Sequence, residues 1–203
     1  YLSPERLKTT LFIDRFKKMN VSFVAVDEAH CISEWGNDFR PEYRNISSLR
    51  TLNKDLSFIA LTATATPEVV EDIEEQLSFK ESNKIKKSFI RNNINYSVIN
   101  AIDKEKVLVK LLTNESSIIY VRNRKKTKEL SKLLNSKNYK TDFYHAGLDF
   151  RERSEKQTKW INNEFDTMIA TNAFGMGIDK PDVKTVIHFD LPETLESFYQ
   201  ESG

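Results

Sequence analysis

The second half of the chain alternates short apolar runs with longer stretches of helical period, and few folds accept that pattern. Runs at 117–121, 141–145, 167–171 and 184–189 predict strands, while 104–113, 125–137, 149–163 and the stretch from 193 predict helices. Strands separated by helices of that length imply parallel βαβ units. The first half carries a sparser version. Ser22–Val26 and Phe58–Thr62 read as buried strands. Pro67–Leu77 reads as a helix, with Pro67 at its first position, Glu68 and Glu71 early, and Val69, Val70, Ile73 and Leu77 facing the core. Residues 80–100, rich in Lys and Asn, read as a connector. The expectation is α/β in two lobes, 1–79 and 101–203, joined through 80–100.

The most informative local feature is Val26-Asp27-Glu28-Ala29-His30, which follows the apolar run Phe23-Val24-Ala25. Two readings fit the acids. They are a polar strand exit whose carboxylate caps the next helix, or one acid holding Mg²⁺ through water while the other polarises an attacking water. The second reading places them at the carboxyl edge of a sheet, where ligands bind in open α/β folds. The following stretch, 33–44, interleaves Trp35, Phe39 and Tyr43 with Arg40 and Arg44. An aromatic stripe at that spacing packs on a core when helical, but Gly36 and Pro41 argue against a regular helix here. As a loop it suits stacking on unpaired bases, worth about 1–3 kcal/mol per base.

Composition narrows the classes. A net charge of +1 from 31 basic and 30 acidic residues confines any nucleic-acid affinity to local patches. Two patches stand out: Lys84-Ile85-Lys86-Lys87 with Arg91, read as a solvated face, and Arg122-Asn123-Arg124-Lys125-Lys126, where a strand gives way to a helix, a place suited to phosphate capture. The single cysteine, Cys31, excludes an internal disulfide framework and a cysteine-rich zinc cluster, so no zinc site is expected. No apolar stretch is long enough to span a membrane. The expectation is an intracellular, cytoplasmic protein with no membrane partner. A monomer is expected.

Asp27-Glu28-Ala29-His30-Cys31-Ile32-Ser33-Glu34-Trp35-Gly36-Asn37-Asp38-Phe39-Arg40-Pro41-Glu42-Tyr43 resembles the second motif and aromatic-rich loop of RecQ-family DNA helicases. Other blocks are similar to that family in the same order: 1–7, Leu61-Thr62-Ala63-Thr64-Ala65, 118–124, 144–148, 170–181 with His188-Phe189-Asp190, and 200–203. The resemblance implies two RecA-like parallel-sheet lobes of a superfamily-two helicase core, the first incomplete at its N-terminus. It implies ATP and Mg²⁺ as nucleotide and metal, and single-stranded and duplex DNA as partners. The implied activity is unwinding with 3′→5′ translocation, in DNA repair and recombination.

By the same resemblance Asp27 holds Mg²⁺ through water and Glu28 activates the hydrolytic water. His30 then relays the nucleotide state to Thr62 and Thr64. Trp35, Phe39 and Arg40 sense single strand. Arg122, Asn123, Arg124 and Thr171 are candidates for backbone phosphates, and His145 either joins them or pairs within the sheet edge. Gly175 and Gly177 let backbone approach a ligand, and Asp179 faces the nucleotide sugar or a later arginine; asparagine is common at that last position in the family. None of the five glycines belongs to a Gly-x-x-x-x-Gly-Lys-Thr/Ser phosphate loop. The family carries that loop upstream and further arginines downstream, so the expectation for these 203 residues alone is no significant ATP turnover, with the second lobe the better ordered half.

Overall fold

Parallel strands dominate both parts of the computed structural model, which describes every residue except Asn37, Met176, Gly177 and Gly203. Two compact units divide between Arg91 and Asn92, inside the stretch read as a connector.

The first unit opens with a short 3₁₀ helix, Pro4–Lys8, and helix α1, Thr10–Phe16, whose cap Thr9 accepts a hydrogen bond from the Phe12 amide. Strands β1, Phe23–Val26, and β2, Ser57–Ala60, pair in parallel, with Val26 opposite Ala60. Between them lie a 3₁₀ turn at Ala29–Ile32, a longer 3₁₀ helix at Pro41–Ser48, and α2, Leu49–Leu52. Helix α3, Pro67–Gln76, begins as its sequence dictates: Thr66 caps the Val69 amide, Pro67 occupies the first turn, and Val69 and Ile73 are buried. The alternation along the two strands is unequal. Val26 and Phe58 are buried in a core with Leu56, Ile73 and Leu77, whereas Phe23, Ile59 and Leu61 stand about half exposed.

The second unit holds four parallel strands in the order β4-β5-β3-β6: β3 Ser117–Tyr120, β4 Thr141–Tyr144, β5 Thr167–Ala170 and β6 Thr185–His188. Every residue of β3 and β5 is buried, as central strands covered on both faces must be. Successive side chains of β3 serve opposite cores. Ile118 and Tyr120 join Trp160, Met168 and Phe174, while Ile119 and Val121 join Leu108, Leu130 and Leu134. The helices are α4 Lys104–Leu111, α5 Arg124–Asn135, α6 Phe150–Ile161 and α7 Leu195–Glu201. Side-chain caps start all four: Asp103, Asn123, Asp149 and Thr194 accept from amides of the first turn.

One expectation needs correction. The strand read as 58–62 is Ser57–Ala60, because the chain turns after Leu61 instead of continuing. As expected, no regular helix runs through 33–44 among the described residues: Pro41 occupies the first turn of a 3₁₀ helix that contains Tyr43 and Arg44.

Among the described residues the first unit has two strands, one face of which is half bare, and the second has four with covered central strands. Fewer buried contacts mean easier local opening. Limited trypsin digestion is therefore expected to cut within 1–79 first and leave a fragment covering 104–203; the reverse order of cleavage contradicts this.

Candidate active site

β1 delivers Asp27 and Glu28 to its carboxyl end. Asp27 is exposed, and its Oδ1 accepts the Glu28 amide at 3.0 Å. Glu28 adopts a left-handed backbone, φ 48 and ψ 44. A side-chain-bearing residue held there costs about 1–3 kcal/mol, and such strain collects at functional sites. What holds the turn is the chain after β2: the Leu61 amide donates to the Val26 carbonyl at 2.8 Å, and the Ala29 amide donates to the Leu61 carbonyl at 2.9 Å.

His30 is 5% exposed. Its Nδ1 stands 3.1 Å from Thr62 Oγ1 and 3.3 Å from Glu28 Oε2. A carboxylate only accepts, so the contact with Glu28 is favourable when Nδ1 carries the proton. One ring nitrogen thus faces an acid of β1's exit and a hydroxyl of β2's exit. Thr64 joins at one remove, its amide donating to Thr62 Oγ1 at 3.4 Å.

The aromatic-rich loop is closed at its neck by the Arg40 amide donating to the Cys31 carbonyl at 2.8 Å. Gly36 is needed inside it, since a Cβ there would lie 2.7 Å from the His30 carbonyl oxygen. Trp35 is 78% exposed, whereas Phe39 is half-buried with the Arg44 guanidinium 4.9 Å from its ring centre. Arg40 pairs with Asp38 at 3.2 Å, and that carboxylate raises the guanidinium above its ordinary range. Burial, with Asp38 adding to it, pushes the Cys31 thiol up to about 11, which makes it a packing residue and not a nucleophile.

In the second unit the parallel strands bring the remaining candidates to one edge. Asn123 caps α5, its Oδ1 accepting the Lys125 amide at 2.7 Å. Arg122 is fastened to its own edge: its amide donates to Asp190 Oδ2 and its Nε to the Leu191 carbonyl, each at 3.1 Å. Thr171 is buried, its amide bonded to the Tyr144 carbonyl. His145 is 6% exposed and its Nδ1 has no hydrogen-bond partner among the described residues. Burial first, then the charges of Lys128 and Arg124, pull its pKa below the ordinary imidazole range. Gly175 has φ 117, and a Cβ on it would lie 2.6 Å from the Tyr120 hydroxyl. Asp179 is exposed. Gly177 lies outside the described residues.

The structure thus joins Glu28, His30, Thr62 and Thr64 in one unit, and Arg124 with His145 in the other. It commits Asn123 and Arg122 to local bonds. Sequence reasoning overlooked Lys128 beside His145 and the hold of Arg44 on Phe39; the only available signal was the basic residue every fourth position through 40–44. No group of three or more acids, histidines or cysteines suited to holding a metal occurs among the described residues. The exposed Asp27 beside Glu28 fits a cation that keeps its own water shell, as Mg²⁺ does, rather than one caged by protein.

Comparison with known proteins places these features. The model for "DEAD/DEAH box helicase" matches residues 1–73, and that for "Helicase conserved C-terminal domain" matches 103–203. The ATP-dependent DNA helicase RecQ of Bacillus subtilis is 42% identical over the whole chain, which spans 35% of that relative. The RecQ-like DNA helicase blm-1 of Caenorhabditis elegans is 40% identical, again over the whole chain and 22% of its own length. The chain therefore spans about a third or less of these relatives. Among solved structures, S. cerevisiae Dbp5 bound to RNA and ADP BeF3 superposes with a TM-score of 0.73 at 24% identity, over 95% of this chain and 53% of Dbp5. Mycobacterium smegmatis helicase Lhr bound to ssDNA and AMP-PNP gives 0.72 at 21% identity, over 98% and 28%. At that identity they establish the fold, RecA-like α/β.

Two outcomes test the geometry. Glu28→Gly removes the left-handed penalty and is expected to stabilise the first unit by up to about 1 kcal/mol; a lowered melting temperature contradicts the strain. Because the His145 pKa is lowered on folding, neutral His145 favours the native state above pH 6.5, and stability is lost as pH falls below that value. Urea titrations from pH 7.5 to 5 should show this loss, and His145→Asn should flatten it.

Proposed function

Because the chain belongs to the RecQ family of helicases, we propose that it is the part of an ATP-dependent DNA helicase that triggers hydrolysis and reports it to the bound strand. The observation that carries this is the His30 ring, in contact with both Glu28 and Thr62. Mg²⁺, when bound, neutralises charge on the phosphates. Asp27 would hold such an ion through its water shell, and Glu28 would accept a proton from the attacking water. What supports this role is that Glu28 stands on a strained turn with 44% of its side chain open to solvent. A change in Glu28's charge or contacts alters what His30 Nδ1 can donate to, and Thr62 is the other acceptor within reach. Trp35 offers a base-stacking face, Phe39 and Arg40 extend it, and Arg124 with His145 and Thr171 form the second unit's backbone contact.

Single-stranded and duplex DNA are the proposed partners, with 3′→5′ movement and a role in repair and recombination inside the cell. The 203 residues hold no phosphate loop, so by themselves they are proposed to bind strand without turning over ATP.

In an intact helicase carrying this segment and a phosphate loop, Glu28→Gln is expected to abolish hydrolysis while nucleotide still binds, and Trp35→Ala to remove stimulation by single strand. Unchanged turnover in the first, or undiminished stimulation in the second, rejects the role assigned to that residue.

A further inference from the structure

Arg44 has been given no role so far, yet it touches the aromatic loop at three points. It stands on the 3₁₀ helix Pro41–Ser48, on a stretch anchored by buried Ile46. Its Nη1 meets Glu34 Oε1 at 2.9 Å, its Nε donates to the Ile32 carbonyl at 3.4 Å, and its guanidinium carbon lies 4.9 Å from the Phe39 ring centre. One side chain therefore fastens the loop on both sides of Trp35. The remaining charges on this loop, Asp38 and Arg40, are paired with each other.

The partner Arg44 has chosen is informative. Glu34 is 62% exposed and Arg44 37% exposed, and an ion pair that open is weak and screened by salt. A guanidinium takes phosphate in the same forked geometry as carboxylate. We infer that Arg44 is a strand-phosphate contact held in waiting by Glu34: a strand stacking on Trp35 brings a phosphate that replaces the Glu34 carboxylate, and the moving guanidinium uncovers Phe39 for a second base. This rests on reading the loop as strand-binding, as proposed above.

The test titrates the 203-residue chain with a dye-labelled single-stranded oligothymidylate across a range of NaCl concentrations, with circular dichroism to verify each fold. Loss of one phosphate contact on single strands lowers the slope of log affinity against log salt by about 0.7. Arg44→Gln is expected to show that loss. Glu34→Gln is expected to tighten binding about two- to five-fold by freeing the guanidinium. Trp35→Ala should weaken binding and leave the salt slope intact. An Arg44→Gln slope equal to that of the unsubstituted protein overturns the inference, as does a Glu34→Gln protein with unchanged or weaker affinity; the latter decides alone where Arg44→Gln fails to fold. If Trp35→Ala binds normally while Arg44→Gln loses slope, the Arg44 contact stands and the stacking reading falls. Absence of binding by the unsubstituted chain overturns both.

Discussion

The His30 imidazole is the interaction on which the first unit's site depends. It is buried, it belongs to the turn after β1, and its Nδ1 reaches across to the hydroxyl of Thr62 after β2. Two backbone hydrogen bonds, Leu61 to Val26 and Ala29 to Leu61, set the distance that this contact needs. Because β1 and β2 pair in register with Val26 opposite Ala60, both exits leave the sheet at the same level. The acids, the histidine and the threonine then meet without either loop having to be long. The left-handed Glu28 is the local cost of turning so sharply, and the surrounding bonds hold it there.

The second unit applies the same principle with more strands. Parallel pairing puts the carboxyl ends of all four at one edge, so residues scattered from Arg122 to His188 become neighbours. Tyr120 shows how tightly that edge is packed: its hydroxyl donates to the Phe174 carbonyl at 3.1 Å, and its ring stacks on His188 with centroids 5.5 Å apart. His188 Nε2 in turn lies 2.9 Å from a Glu201 carboxylate oxygen, without the alignment of a hydrogen bond. Burial and the nearby Glu201 carboxylate raise the Tyr120 phenol above its ordinary range, which keeps it a neutral donor.

Much of this was legible in the sequence. The four strands of the second unit stood out because they alternate with stretches of helical period, the two central ones also being fully buried, and their observed bounds differ from the expected ones by a residue or so. Helix α1 was not seen: Thr10–Phe16 buries only Phe16, too little to impose a period. Gly36 and Pro41 rightly argue against a regular helix through 33–44, but that Pro41 itself begins a 3₁₀ helix was not legible, since the same ring that ends one helix starts another. Asp27 and Glu28 were visible from their place after an apolar strand. The pairing of His30 with Thr62, 32 residues away, was accessible only through resemblance, because no local spacing encodes it. The hold of Arg44 on Phe39 and Glu34 escaped for the same reason: side chains choose partners in three dimensions.

The order β4-β5-β3-β6 has a temporal side. β3 is the first strand of its sheet to be made and lies between β5 and β6. Its partners begin at Thr167 and Thr185, fifty and sixty-eight residues after Ser117. A nascent chain leaving the ribosome at about 5–20 residues per second therefore carries Ser-Ile-Ile-Tyr unpaired for seconds. During that interval the helix following it, α5, is the nearest cover for those side chains, through the Leu130 and Leu134 face that packs on Ile119 in the finished unit. Closing such distant pairs is slow, and the order of synthesis makes β6 the last strand to arrive.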